Sequence, residues 1–441
     1  MFAFHFYKHV LQCITNKCLL FESVNTMRSI LHIDMNNFYA SVECLYKPEL
    51  RNFPVAVAGD PLNRHGIVLA KNVIAKKLGV TTGEAIWQAR LKAPGLVLVP
   101  PDYKKYLRFS RLAREIYYEY TDMVEAFGLD ENWCDITGSL PMLKADPVTI
   151  ADAIRQRMKE ELGVTVSVGV SFNKIFAKLG SDMKKPDATT AIPYERFKEI
   201  VWPRPVGELL YVGCATERKL RDIAVNTIGD LARTDIEILQ RKLGKWGEIL
   251  WLFANGLDTA PVRKIGEAEQ IKSIGNGTTC PRDLKNEQDV KLVFTVLAES
   301  VASRMRDCGV KCRGVQIFLR DNSLFSISRQ KQLEYPCCIS GPLIDAAMDL
   351  LRKNCRWIRP LRSISLSAID LVTADRHIQL SLFDDTAEKQ AVQEQLERTV
   401  DSIRFRYGRN AVLRASALLD PKLTGFNPKE DHTIHPYSYF R

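Results

Sequence analysis

Two neighbouring carboxylates, Asp130 and Glu131, lie inside the largely apolar stretch Val124-Glu-Ala-Phe-Gly-Leu-Asp-Glu-Asn-Trp-Cys-Asp-Ile-Thr-Gly138. Adjacent anions repel, and burial sharpens the repulsion, so a fold that gathers them in a hydrophobic setting needs a cation between them. A third carboxylate, Asp34, ends the apolar run Ile30-Leu-His-Ile33. Three acidic side chains at strand ends describe a magnesium site able to run phosphoryl or nucleotidyl transfer. An acidic pair alone is more often a solvated surface feature, so the assignment rests on the rest of the chain.

The 441 residues suffice for roughly two to four domains, each with its own core. A hydrophobic content of 46% with 26% charged residues is that of a soluble globular protein. The net charge of +10 points to a polyanionic partner, nucleic acid first. Eleven cysteines are scattered without a Cys-x-x-Cys pair, which argues against a zinc site and for reduced thiols in a cytoplasmic protein. No apolar stretch is long enough for a membrane span. Residues 1–26 carry Lys8, His9, Lys17 and Glu22 and lack a small-residue cleavage site. They read as a leader outside a fold that begins at Met27.

Arg28–Asp34 reads as a buried strand, followed by a helix carrying Phe38, Tyr39, Val42 and Leu45. Two short strands are expected at 54–59 and 66–70, and a helix at 72–78 stopped by Gly79. An amphipathic helix over 103–120 places Phe109, Leu112, Ile116 and Tyr120 on one face. The acidic element reads as a hairpin turning near 128–131, followed by a helix at 150–162, a strand at 164–170 and a helix at 173–179. The order is βαββαβ, a sheet backed by helices. Short helices follow over 193–257, then a polar linker around 259–271 and a separate α+β module with 18 basic against 13 acidic residues over 263–375.

Four ordered motifs now resemble those of the Y-family, or lesion-bypass, DNA polymerases of the bacterial polymerase IV type. They are Ile33-Asp-Met-Asn-Asn-Phe-Tyr-Ala-Ser-Val-Glu43, Leu129-Asp-Glu131, Gly169-Val-Ser-Phe-Asn-Lys-Ile-Phe-Ala-Lys178 and Ser181-Asp-Met-Lys-Lys-Pro186. The resemblance covers about 27–385. It implies an α+β, multidomain right-hand polymerase: a βαββαβ palm over 27–44 and 103–192, small fingers over 45–102, a helical thumb over 193–258 with a helix-hairpin-helix, and an α+β little finger over 272–375.

The same resemblance implies roles. Two Mg2+ ions would be held by Asp34, Asp130 and Glu131 with the Met35 carbonyl, beside an incoming deoxynucleoside triphosphate. Tyr39 matches the aromatic steric gate that leaves no room for a 2′-hydroxyl, with Phe38 next to it. Lys185 and Lys76 are candidate triphosphate contacts. Here the chain departs from many relatives, having Val73 and Lys76 where a Tyr and an Arg are common. Gly128, Asn132 and Trp133 likewise replace more usual residues around the acids. Tyr103 and Tyr106, with Ser110, match a pattern near the nucleotide, while either ring is equally at home in a core.

Gly213 and Lys219, in the hairpin Tyr211–Leu220, are candidates to hold a DNA phosphate. Gln379-Leu-Ser-Leu-Phe383 matches the bacterial sliding-clamp peptide, with Gln379, Leu380, Leu382 and Phe383 as its contacts. The rest of the 376–441 tail, with a helix over 387–407, is closer to the polymerase V catalytic subunit. The expected partners are primer-template DNA, deoxynucleotides and the clamp, for a monomeric, low-fidelity, DNA-dependent DNA polymerase. Two other readings stand beside it. One is a non-catalytic DNA- and clamp-binding adaptor, which the intact acids disfavour. The other is a nucleotide cyclase, which has no place for the hairpin, the basic module or the clamp peptide.

Overall fold

The computed structural model describes residues 27–59, 66–267, 271–375 and 386–429. These fall into two compact units, one formed essentially by 27–58 and 67–267 and the other by 271–429. The proposed leader and the clamp-peptide residues Gln379, Leu380, Leu382 and Phe383 lie outside the described residues.

In the first unit, β1 (Ile30–Met35) is wholly buried because both of its faces are covered. Leu31, Ile33 and Met35 point into one core, while Ile30, His32 and Asp34 alternate to the other side. Asn37, in the left-handed conformation that asparagine tolerates, turns the chain into α1 (Phe38–Tyr46). The fingers follow: β2 (Val55–Ala58), β3 (Val68–Lys71), α2 (Val73–Lys77), α3 (Ile86–Lys92) and β4 (Val97–Val99), with sheet order β3-β2-β4. α3 and β4 have no counterpart in the sequence reading; both are short and carry a weak periodic signal.

The palm resumes with α4 (Tyr103–Tyr118), β5 (Val124–Ala126), β6 (Glu131–Asp135), a helical turn α5 (Leu140–Leu143), α6 (Pro147–Leu162), β7 (Val166–Ser171), α7 (Lys174–Met183) and β8 (Thr189–Ile192). Its sheet order is β5-β6-β1-β7-β8. The expected hairpin, β5–β6, is present. The four-residue β8, parallel to β7, adds a fifth strand that its short sequence did not announce. α4 and α6 cover the Leu31/Ile33 face. The stripe of α4 is rotated from expectation: Tyr106, Ser110, Ala113, Arg114 and Tyr117 are buried, with Ile116 shared, while Phe109, Leu112 and Tyr120 are only half-buried. Tyrosine and serine count as polar in a hydrophobicity pattern, yet here their rings and small side chains pack inward.

α7 covers the opposite face. β7 alternates Val166, Val168 and Val170 toward the first core and Ser167, Gly169 and Ser171 toward this helix. A Cβ at Gly169 would lie 1.9 Å from the Ala177 carbonyl oxygen and 2.5 Å from the Ser181 amide, so only glycine lets the helix backbone rest on the strand. The stretch 259–271, expected as a linker, is anchored over its first part. Val262 is buried with Ile30, Trp133 and Ala177, and the Arg263 amide donates to Glu125 at 3.0 Å.

The thumb is the helical cluster α8 (Phe197–Val201), α9 (Cys214–Arg221), α10 (Ile228–Arg233), α11 (Ile236–Leu243) and α12 (Lys245–Ala254), packed around residues such as Val206, Leu220 and Leu231. Among the described residues, no helix is long and apolar enough to cross a membrane.

The second unit is a four-stranded antiparallel sheet backed by helices: β9 (Ser273–Leu284), α13 (Glu287–Asp307), β10 (Val310–Asp321), β11 (Ser326–Cys337), α14 (Ser340–Asn354) and β12 (Leu361–Thr373), in the order β11-β10-β12-β9. β9 was hidden in the sequence by Gly275 and Gly277. Both face β12, where a Cβ would strike Ser367 and Ser365 at 2.1 and 2.6 Å. The described part of the tail, 386–429, is built into this body. α15 (Thr386–Tyr407) is tied to α13 by Arg306, which is buried and reaches Glu397 and Asp401 at 2.6 and 2.7 Å. Leu423, in α16 (Pro421–Thr424), is fully buried in the same core.

Gly169→Ala is therefore expected to cost more than about 3 kcal/mol, because backbone rather than a flexible side chain stands in the way. Thermal or urea unfolding would check this; a variant of unchanged stability would show that α7 is not seated on β7.

Candidate active site

The palm register brings the acids together. In the antiparallel pair β1–β6, Asp34 lies directly opposite Glu131, and His32 opposite Trp133. Directly opposed residues project from the same face of a sheet. Asp130 sits in the turn before β6, where its carbonyl accepts the Met35 amide at 3.0 Å. On the other flank of β1, Asp34 faces Ser167 and Met35 faces Val166.

α7 supplies the opposing charge. The Lys178 ammonium donates to Asp34 Oδ2 at 3.2 Å and Glu131 Oε1 at 3.0 Å. Lys185 donates to the same Asp34 oxygen at 2.7 Å. Both ammoniums also reach Asp182, at 3.2 and 2.9 Å. Sequence reasoning selected Lys185 and missed Lys178, His32 and Asp182. The available signal was helical spacing, because 178 and 182 lie one turn apart on a helix facing the acids.

His32 is fully buried. The Ser181 hydroxyl donates to the Lys178 carbonyl at 2.8 Å, so it accepts from His32 Nδ1, also at 2.8 Å. That tautomer turns the Nε2 lone pair toward Glu131 Oε2 at 3.6 Å, and Nε2 has no hydrogen-bond partner. Burial lowers the imidazole pKa, so the ring is neutral at pH 7.

The acids are unequal. Burial, then the Glu131 and Asp34 charges, push the Asp130 carboxyl up to about 7. Burial also raises Asp34, against the pull of Lys178. Burial works the same way on Glu131, but the charge and hydrogen bond of Lys178 oppose it, and that carboxyl is held below its usual range. With the imidazole neutral, Lys178 is the cation that keeps Glu131 ionised.

Beside the acids, Tyr39 is half-buried and stacked on Tyr106, with ring centres 4.1 Å apart and planes 10° from parallel. Tyr103 meets both rings edge-on. Tyr106 is fully buried and donates to Glu43 Oε1 at 2.9 Å, so of the two possibilities for this ring the core is realised. The Phe38 ring is buried beside Tyr39 in the first core. Lys76 is exposed on α2, and its charge lowers the pKa of neighbouring Lys71, second to burial. Gly213 and Lys219 are exposed at the start and along the side of α9. Trp133 donates to the Lys174 carbonyl at 3.0 Å, while the Lys174 ammonium binds both oxygens of Glu125 at 2.8 Å.

Among the described residues, no three His, Cys, Asp or Glu side chains form a ready-made metal cage. The donor chemistry nonetheless fits a hard divalent cation. The oxygens of Asp34 and Glu131 converge on one ammonium, Asp130 is pushed toward protonation by desolvation and then by the neighbouring acids, and a buried imidazole nitrogen faces Glu131 unpaired.

A palm carrying paired acids, with fingers, a helical thumb and a separate α+β module, is the architecture of a Y-family polymerase, and comparisons agree. The impB/mucB/samB family model matches residues 33–182, its C-terminal domain 271–382, and the DNA polymerase-iota thumb domain 208–258. DNA polymerase IV of Acetivibrio thermocellus is 52% identical over 393 residues, covering 89% of this chain and 98% of that one. DNA polymerase IV 1 of Bacillus subtilis is 35% identical, covering 89% and 93%. A chimeric Y-family DNA polymerase of solved structure matches the fold with a TM-score of 0.69 at 22% identity, covering 78% of this chain and 99% of that one. The chain belongs to the impB/mucB/samB family, as a Y-family DNA-directed DNA polymerase of the bacterial polymerase IV type.

The raised Asp130 pKa makes a pH prediction. Between the unfolded value of 3.8 and about 7, the folded chain holds a proton at Asp130 that the unfolded chain has released, so this residue's contribution to stability falls as pH rises across that window. His32, with its lowered pKa, slopes the opposite way below 6.5, so the comparison must be with a variant. In chelator, Asp130→Asn should gain in thermal midpoint over the parent progressively from pH 5 to 8. A difference that stays constant with pH would contradict the raised pKa of Asp130.

Proposed function

We propose that Asp34, Asp130 and Glu131 are the metal-binding acids of a template-directed, low-fidelity polymerase that copies damaged DNA. The observation that carries this is the register placing Asp34 opposite Glu131 with Asp130 in the adjoining turn. Two Mg2+ ions held there would lower the pKa of the primer 3′-hydroxyl and neutralise the triphosphate and departing pyrophosphate. The Met35 carbonyl is the proposed further ligand on the nucleotide side.

The chain's own residues do the rest. Lys185, at the mouth of the site, neutralises charge on the phosphates, with exposed Lys76 in a secondary place. Tyr39 closes the floor beneath the sugar, and its stack on Tyr106 keeps the ring from yielding to a 2′-hydroxyl. Gly213 and Lys219 offer the α9 N-terminus and a cation to a DNA phosphate, and the basic module grips the duplex backbone with steep salt dependence. The Gln379–Phe383 segment tethers this monomer to the sliding clamp and raises its effective concentration at primer ends.

Primer extension tests each part. Asp130→Ala or Glu131→Ala should reduce extension by about a thousandfold or more while leaving DNA binding largely intact, and normal extension by either would end the assignment. Tyr39→Ala should raise ribonucleotide incorporation on the order of a hundredfold; unchanged sugar selection would remove the gate. Deleting Leu382 and Phe383 should abolish stimulation by clamp without altering basal synthesis, an outcome that a folding defect could not mimic.

A further inference from the structure

We propose that Lys178 is a built-in surrogate cation, which holds Asp34 and Glu131 together in the metal-free site and hands them over when a divalent ion arrives, Asp182 receiving the displaced ammonium. The inference rests on the reading that these acids bind metal.

The geometry supports each half. Lys178 bridges one oxygen of Asp34 and one of Glu131 at 3.2 and 3.0 Å, the place where a shared cation relieves their repulsion. Its helix has little freedom to withdraw. α7 lies on the bare backbone of Gly169, and the Ser181–His32 hydrogen bond pins the next turn. A lysine fixed in this way and deprived of its carboxylates would be a buried unpaired charge, which is costly. Asp182 answers that cost. It lies one turn along from Lys178, within 3.2 Å of it and 2.9 Å of Lys185. Its side chain is 47% exposed, whereas Asp34 is 7% exposed. Lys178 is thus already paired with two acids of the site and Lys185 with one, and both share the rim acid Asp182. A divalent ion has the larger charge and takes the buried acids, and a rotamer change leaves both lysines paired to Asp182. Lys178 therefore competes with metal, and Asp182 makes the competition reversible.

The test uses the full chain without DNA and Mn2+ as the probe, with free ion followed by electron paramagnetic resonance. Lys178→Met should bind Mn2+ about tenfold more tightly than the parent, and in chelator its thermal midpoint should fall and be recovered by Mn2+. Lys178→Arg, which keeps the cation, should restore parental behaviour. Asp182→Asn should weaken Mn2+ binding about threefold, less so in the Lys178→Met background. Because Asp182 is at the surface, this variant carries the test even where Lys178→Met folds poorly. Unchanged or weaker Mn2+ binding by Lys178→Met, unchanged or tighter binding by Asp182→Asn alone, or an Asp182→Asn effect that is the same with and without Lys178, would overturn the proposal. Glu131→Gln separates the two levels: if it leaves Mn2+ binding intact, the acids themselves are not the metal site.

Discussion

Everything at the centre of this molecule depends on the strand register between β1 and β6. Leu31 and Ile33 are locked into one core by α4 and α6, so Asp34 has no choice of face. A slip of one residue would send the acid into that core and a hydrophobe to the site. The Met35–Asp130 backbone bond fixes the same alignment at the turn. Hydrophobic packing on one side of a sheet thus aims the charges on the other.

The cost of that arrangement is visible in the unequal ionisation of the acids. Asp130 resists losing its proton, while Glu131 is kept charged by Lys178. A polymerase must assemble such a cluster before substrate arrives, and stability is given up locally to do so. The surrounding structure absorbs it: aromatic stacking at Tyr39 and Tyr106, the buried Glu43 linking α1 to α4, and the glycine seat beneath α7 are all rigid supports.

Much of this was legible in the sequence because alternation and acid placement agree. Ile30-Leu-His-Ile-Asp announces a strand with a charged end, and the apolar runs around Gly128 announce a hairpin. What escaped did so for physical reasons. Lys178 looks like any solvated lysine until the helix is laid on its sheet. β9 has too many glycines to score as a strand, because its neighbour's serines leave no room for side chains. Tyr106 and Phe38 carry a family pattern, yet their burial follows from three-dimensional packing that linear order does not contain. Val262 and Arg263 lie in a polar stretch that reads as tether, and only the buried partner surfaces near Ile30 and Glu125 reveal them as anchors.

The tie between α13 and α15 bears on how this enzyme can be dissected. Arg306 is 7% exposed, and Glu397, which pairs with it, also accepts the Ser340 amide at the start of α14. Cutting the chain after Phe383 would strip that guanidinium of both acids and leave a buried cation with the Cys338 carbonyl as its remaining partner on α13's side of the seam. A shortened protein that loses activity would then report a damaged α+β unit rather than the loss of the segment removed. Changes confined to 379–383, rather than truncation beyond them, leave this tie intact.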